Sequence, residues 1–192
     1  MTLEKNTEKV LLDGHGKIFQ IKIPATTAFS SDIREIIWSL IENNSLFSKK
    51  WKYRMQLVTD ELINNAIEHW SSPWDDVLIS VKIYENYNIE ITVEDSWTWT
   101  NKMDAETLMK ITMESRDAMI KDPASNKTIR WRWLSMIVFS WSDSFNYLNN
   151  DHWWLTAKII KYFTPECWNT SDEIIKNELK YSKAIKLQES FF

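Results

Sequence analysis

Glycine is almost missing. The 192-residue chain holds 2, Gly14 and Gly16, where average usage of about 7% would give roughly 13. Glycine supplies positive φ in turns and lets a ligand approach the backbone closely, so this chain is short of the residue that phosphate-binding loops use most. Tryptophan, ordinarily among the rarest residues, occurs 12 times. Cysteine is reduced to Cys167, which excludes an internal disulfide and fits a reducing cytoplasm. With no histidine near it in sequence, the thiol reads as incidental. No apolar run approaches the roughly 20 residues that span a bilayer, and the opening Met1, Thr2, Leu3, Glu4, Lys5 lacks the apolar region of a secretory signal. A basic excess is lacking too. Against 23 Lys+Arg stand 27 Asp+Glu, a net charge of −4, which argues against a dedicated nucleic-acid surface. The expected setting is the cytoplasm, with no membrane and no direct nucleic-acid partner.

What remains is an ordinary globular composition, 44% hydrophobic and 26% charged, enough for one domain with a single core. Residues 17–23 alternate apolar and polar, the period of a strand, and Pro24 ends it. Ser30 or Ser31 is placed to cap a helix reaching about Asn43, with Ile33, Ile36, Ile37, Leu40 and Ile41 as its stripe. A second helix is expected from near Lys50 to His69, broken by Ser71, Ser72 and Pro73. Residues 77–84 and 88–93 read as a hairpin turning at Glu85, Asn86 and Tyr87. The polar stretch from Ser96 to Ile129, with a short helix near Ala105–Met113, has the length of a lid. Leu134–Phe139 reads as a buried helix, and Phe145–Asn149 with Leu155–Phe163 as a closing hairpin. A helix carrying Ile174, Ile175, Leu179, Ile185 and Leu187 follows from about Ser171. The order predicts an α+β fold, a two-layer sandwich with helices packed on one face of a mixed, mostly antiparallel sheet. The expected division is an N-terminal segment 1–16, a domain 17–163 and a C-terminal helical extension 164–192.

Four segments carry candidate chemistry. In the first, residues 59–70, Glu61 and Asn65 are one helical turn apart and share a face. A carboxylate there suits a general base and an amide oxygen suits Mg²⁺, although such a pair is most often a plain solvated helix face. In the second, Glu94 and Asp95 end a strand before Trp97, Trp99 and Thr100. The third places Trp131, Arg132, Trp133 and Leu134 at the start of a helix. The fourth, with Asp151, His152, Trp153 and Trp154 before Leu155 and Thr156, is a turn leading into a strand. His69, at a helix end, reads equally well as a cation near the helix C-terminus.

The tryptophans in these segments stand where glycine makes local sense. Trp70 follows a helix, at the position glycine commonly takes after the C-cap. Trp97 and Trp99 lie in a turn. Trp131 and Trp133 open a helix, where glycine gives an anion access to backbone N–H groups. Trp153 and Trp154 occupy a hairpin turn that favours a glycine pair. Trp38 and Trp51 are less telling, and Trp74, Trp141 and Trp168 fit either residue.

With glycine at those positions the segments become E-L-I-N-N-A-I-E-H-G, E-D-S-G-T-G-T, I-R-G-R-G-L-S-M and D-H-G-G-L-T-A-K. In that form, over roughly residues 17–163, the chain resembles the Bergerat-type ATP-binding domain shared by gyrases, heat-shock chaperones, histidine kinases and mismatch-repair ATPases, the GHKL superfamily. It is most similar to the anti-sigma-factor serine/threonine kinases of bacterial partner switching. The first segment matches the N box, the second the D-x-G-x-G box and the third the G-R-G-L box. The resemblance implies ATP and Mg²⁺ as cofactors, with Glu61 as the general base, Asn65 as the metal ligand and Asp95 as the reader of the adenine amino group. It implies nucleotide contacts at positions 97, 99 and Thr100, and at 131, Arg132, 133 and Leu134. Thr156 lies near the last motif's threonine, offset by one because Leu155 directly follows the glycine-like pair. The partners implied are an anti-sigma-factor antagonist as phosphate acceptor, a sigma factor, and a second copy in a homodimer.

A rival of another class is a non-catalytic module that binds nucleotide, or none, and acts by sequestering a partner. A histidine kinase is disfavoured by the lack of a preceding helix pair bearing a phosphoacceptor histidine. Taken literally, the tryptophans suggest stacking on sugars or single-stranded nucleic acid, but they fall in turns rather than along strand faces, and the net charge is negative. Literal tryptophan also strains the fold. Overpacking costs about 1–3 kcal/mol per site, against a domain stability of about 5–15 kcal/mol. Some bacterial lineages read UGA as glycine, and a chain rich in Ile, Lys and Asn suits an AT-rich genome. The codons for residues 70, 97, 99, 131, 133, 153 and 154 are therefore expected to be UGA. Sequencing the gene checks this, and UGG at these positions refutes it.

Overall fold

A computed structural model of the chain describes residues 15–71, 75–95, 104–121, 138–149 and 155–168. The fold is the expected α+β arrangement, a helical layer on one face of a five-stranded sheet. The strands are β1 (Gly16–Pro24), β2 (Asp76–Tyr84), β3 (Ile89–Asp95), β4 (Ser144–Asn149) and β5 (Leu155–Lys161). Their spatial order is β1-β2-β3-β5-β4, and all four pairings among the described residues are antiparallel. The last strand thus enters between β3 and β4. Among the described residues no helix is long and apolar enough to cross a membrane.

Strict alternation builds the inner face. Ile79 pairs with Ile21 on one side and Val93 on the other, and Val81 with Phe19 and Ile91. Ile91 then meets Ile159, and Val93 meets Ala157. On this face lies helix α1 (Ser30–Asn44), whose Ile33, Ile37 and Ile41 recur every fourth residue and are buried. Helix α2 (Lys49–Asn65) packs beside it and buries Met55, Val58, Leu62 and Ile63. Helix α3 (Ala105–Lys121) packs on β4.

Three local expectations are corrected. No serine hydroxyl caps α1. The chain enters it through a 3₁₀ turn, Thr27–Phe29, where the Thr26 hydroxyl accepts the Ala28 N–H at 3.3 Å, and the Ser30 N–H bonds back to Thr27. The helix starts from a turn already wound. Helix α3 runs 17 residues, well past the expected end at Met113; Asp104 caps its start by accepting the Thr107 N–H at 2.7 Å, and its buried residues Ala105, Leu108 and Thr112 fall in the expected part. Trp70 does not sit beyond a helix end. It is the last residue of a π-helical turn, Ala66–Trp70, that prolongs α2. Among the described non-glycine residues, Tyr87, in the β2–β3 turn, is the one with positive φ, 65°. An indole-bearing residue keeps right-handed backbone where glycine is free to reverse it. Residues 138–141 are helical, and the rest of the helix expected over Leu134–Phe139 lies outside the described residues. The expected helix from Ser171 lies outside the described residues.

Trp51, uninformative in sequence, is a core residue. Its indole N–H donates to the Glu166 carbonyl at 2.8 Å. Arg54 and Lys161 lie over its ring at 4.5 and 4.3 Å, cation–π contacts that glycine cannot make. Lys161, almost completely buried, pairs with Asp143 at 3.0 Å and Glu166 at 3.1 Å. Burial alone would lower its pKa, but the Asp143 and Glu166 carboxylates outweigh burial and hold the ammonium above the ordinary lysine value. Lys161 in turn holds the Glu166 carboxyl below its ordinary range. A cation with a raised folded pKa stabilises fully below its unfolded value and loses this as pH climbs through the folded one. A carboxylate with a lowered pKa stabilises fully above its unfolded value and loses this as pH falls through the folded one. The cluster therefore contributes fully between about pH 5 and pH 10. In urea unfolding, the stability gap between the parent and Lys161→Met is expected to be widest in that window and to narrow at both extremes. A gap independent of pH refutes the assignment.

Candidate functional site

The site residues read from sequence divide between the two layers. Glu61 and Asn65 lie on α2, Glu61 half-buried and Asn65 buried. The helix is anchored by its apolar stripe, so the turn from Glu61 to Asn65 is fixed against the sheet. The π-helical turn that directly follows Asn65 packs on β3, the strand that ends in Asp95. The Asn65 side-chain N–H donates to the Glu61 carbonyl at 2.7 Å. The amide nitrogen is thereby committed to the helix, which leaves Oδ1 as the atom that could coordinate a cation. That fits a hard cation such as Mg²⁺, which takes few protein oxygens and completes its shell with phosphates and water. Around this turn, Arg34 pairs with Asp60 at 2.7 Å and Ser30 donates to Asn64 at 3.4 Å, tying α1 to the same stretch of α2.

Asp95 extends the inner-face series Ile89, Ile91, Val93 by one more step. It takes a core position with a carboxylate, and it is 1% exposed. Burying a carboxylate is costly unless it is hydrogen-bonded. Here Oδ1 accepts the Leu155 N–H at 3.3 Å. Leu155 pairs with Asn149, and Asn149 Oδ1 accepts the Ala105 N–H at 3.1 Å. One line of contacts therefore joins the ends of β3, β5 and β4 to the N-terminus of α3. Sequence reading missed Asn149 and Asp104, although an aspartate three residues before a threonine at a helix start is a legible cap.

The connection from Asp95 to Asp104 and the connection from Asn149 to Leu155 both begin and end on this line. Trp97, Trp99 and Thr100 belong to the first of them, and Trp153 and Trp154 to the second. All five lie outside the described residues, as do Trp131, Arg132, Trp133 and Leu134. Thr156 is not brought to Asp95. Its register partner is Glu94, so by alternation it lies on the opposite face of the sheet, and Leu155 holds the inner-face place beside Asp95. Among the described residues no group of three or more His, Cys, Asp or Glu side chains is arranged to hold a metal. Compared with known proteins, the chain matches no family model and no curated relative.

Proposed function

We propose that the chain is an ATP-dependent serine/threonine protein kinase that also acts as an anti-sigma-type switch. The observation that carries this reading is Asp95, a carboxylate buried at the inner end of a central strand, under the layer that presents Glu61 and Asn65. A buried acceptor on a rigid strand suits one planar donor, and the adenine amino group is such a donor. Asn65 Oδ1 supplies the protein ligand to Mg²⁺, which neutralises charge on the phosphates when bound. Glu61, one turn away, takes the proton from the acceptor hydroxyl as its oxygen attacks the terminal phosphoryl group of ATP, whose bond to the β-phosphate oxygen breaks and releases ADP. Glycine at positions 97, 99, 131 and 133 lets backbone N–H groups approach the nucleotide. The phosphate acceptor in this reading is a small antagonist protein, the sequestered partner is a sigma factor, and the working unit is a homodimer in the cytoplasm.

The test uses the chain with glycine at 70, 97, 99, 131, 133, 153 and 154. It is expected to bind a fluorescent ATP analogue in the presence of Mg²⁺. Asp95→Asn, which presents a donor where an acceptor is needed, should weaken binding by roughly 10–100-fold, from the cost of an unmatched buried polar pair. Glu61→Ala should retain binding and lose transfer by about 10²–10⁴-fold. No nucleotide binding in the glycine form refutes the nucleotide site. Binding without transfer to any antagonist supports the sequestering module instead. The glycine-restored sequence is also expected to match the superfamily's sequence model, and failure to match counts against the resemblance.

A further inference from the structure

Two strands change character at the same end of the sheet. On β3 the inner-face series Ile89, Ile91, Val93 gives way to Asp95, and on β4 the buried residues Phe145 and Tyr147 give way to Asn149. Between them Leu155 opens β5 and is buried. Asn149 pairs with Leu155 at the end of the β4–β5 ladder, and the Leu155 N–H reaches across to Asp95 Oδ1 at 3.3 Å. That bond is long for an ionised acceptor, whose donors usually sit at about 2.7–2.9 Å. A backbone donor on the first residue of a strand moves with the end of that strand. Whatever holds the ladder end therefore also sets this bond.

Asn149 is placed to hold it. Residues directly opposite in an antiparallel pair have adjacent side chains, so Asn149 lies against Leu155. Its Oδ1 accepts the Ala105 N–H at 3.1 Å, at the N-terminus of α3, the helix that packs on β4. The helix does not depend on this bond to start. The Asp104 carboxylate already accepts the Thr107 N–H at 2.7 Å, and the Asp104 carbonyl accepts the Leu108 N–H at 3.0 Å. Nor does Asn149 need the bond to offset its own burial, because it is exposed. What the bond adds is a tie between the helix and the last pair of the ladder.

We propose that Asn149 is a positioning residue that acts through Leu155 on the Asp95 carboxylate and so sets the preference for adenine. This rests on the reading of Asp95 as the acceptor of the adenine amino group. With the tie in place, α3 braces the ends of β4 and β5, the Leu155 N–H holds one carboxylate oxygen, and the plane of the carboxylate is fixed. Recognition of a single donor needs an acceptor whose orientation is held by supporting hydrogen bonds. Without the tie the end of the ladder frays, the carboxylate turns, and the amino group loses its partner. An Asn149 that served stability alone would weaken every nucleotide equally.

The test uses the full chain with glycine at the motif positions. Calorimetric titration compares Mg²⁺-ATP with Mg²⁺-purine riboside triphosphate, which lacks only the 6-amino group. The parent is expected to prefer ATP by about tenfold or more, and Asn149→Ala to lower that preference by about fivefold or more, through the loss of a matched buried polar pair. Asn149→Asp, which keeps the acceptor for the Ala105 N–H, should keep the preference. A parent without preference for ATP overturns the adenine reading and this inference with it. A parent preference kept in Asn149→Ala, or lost equally in both variants, overturns this inference alone. Amide exchange followed by NMR needs no nucleotide. Asn149→Ala should speed exchange at Leu155 by about tenfold or more relative to Ile79 in the middle of β2, and acceleration no greater than at Ile79 overturns the proposal.

Discussion

A single apolar face, shared by four antiparallel pairings, organises this molecule, and its two ends close in opposite ways. On β5 the inward series Leu155, Ala157, Ile159 finishes in Lys161. On the neighbouring β3 the series Ile89, Ile91, Val93 finishes in Asp95. One end of the core therefore holds a buried cation and the other a buried anion, on adjacent strands. The cation is surrounded by carboxylates and an indole ring, so that end is sealed. The anion is held by the Leu155 backbone N–H at the end where β3, β5, β4 and α3 converge. Placing charge at both ends of an apolar ladder is expensive. The lysine end is recovered in ion pairs that brace the fold, whereas the aspartate end suits recognition.

The tryptophans sort by position in a way that composition alone does not reveal. Trp51 holds a carbonyl through its indole N–H and lies under two cations. Trp38 packs on Tyr53 with the rings tilted and their centroids 4.4 Å apart, and Trp168 stacks on Phe163 at 5.6 Å. These three make aromatic contacts that glycine cannot supply. Of the tryptophans in the four motif segments, Trp70 alone is among the described residues. At Trp70, where backbone is described, it stays right-handed.

Much of the fold is legible because its elements are long and strictly periodic. The alternation in β1, β2 and β3 gives each strand to within a residue or two, and the fourfold spacing of Ile33, Ile37 and Ile41 gives α1. Sheet order is not legible, since nothing in β5 distinguishes pairing with β3 from pairing with β4 alone. The Lys161 cluster is hidden because Trp51 and Glu166 are 115 residues apart. At the site, the Glu61–Asn65 spacing can be read directly. The burial of Asp95 follows from the parity of 89, 91, 93 and 95. Thr156 shows the limit, because a single step of register decides which face it occupies.

The entry of β5 between β3 and β4 has a consequence for how the domain forms. Glu94 pairs with Thr156 across an intervening stretch that includes both connections at the Asp95 end, and such distant pairings form late. Until β5 arrives, β3 presents a bare edge, β4 has no strand partner among the described residues, and the Asp95 carboxylate lacks the Leu155 N–H that helps hold it. A chain still emerging from the ribosome therefore has the motif-bearing residues of the first helix pair and hairpin long before it has the site. The last strand of the sheet to be synthesised is also the one that brings the Leu155 N–H to the Asp95 carboxylate.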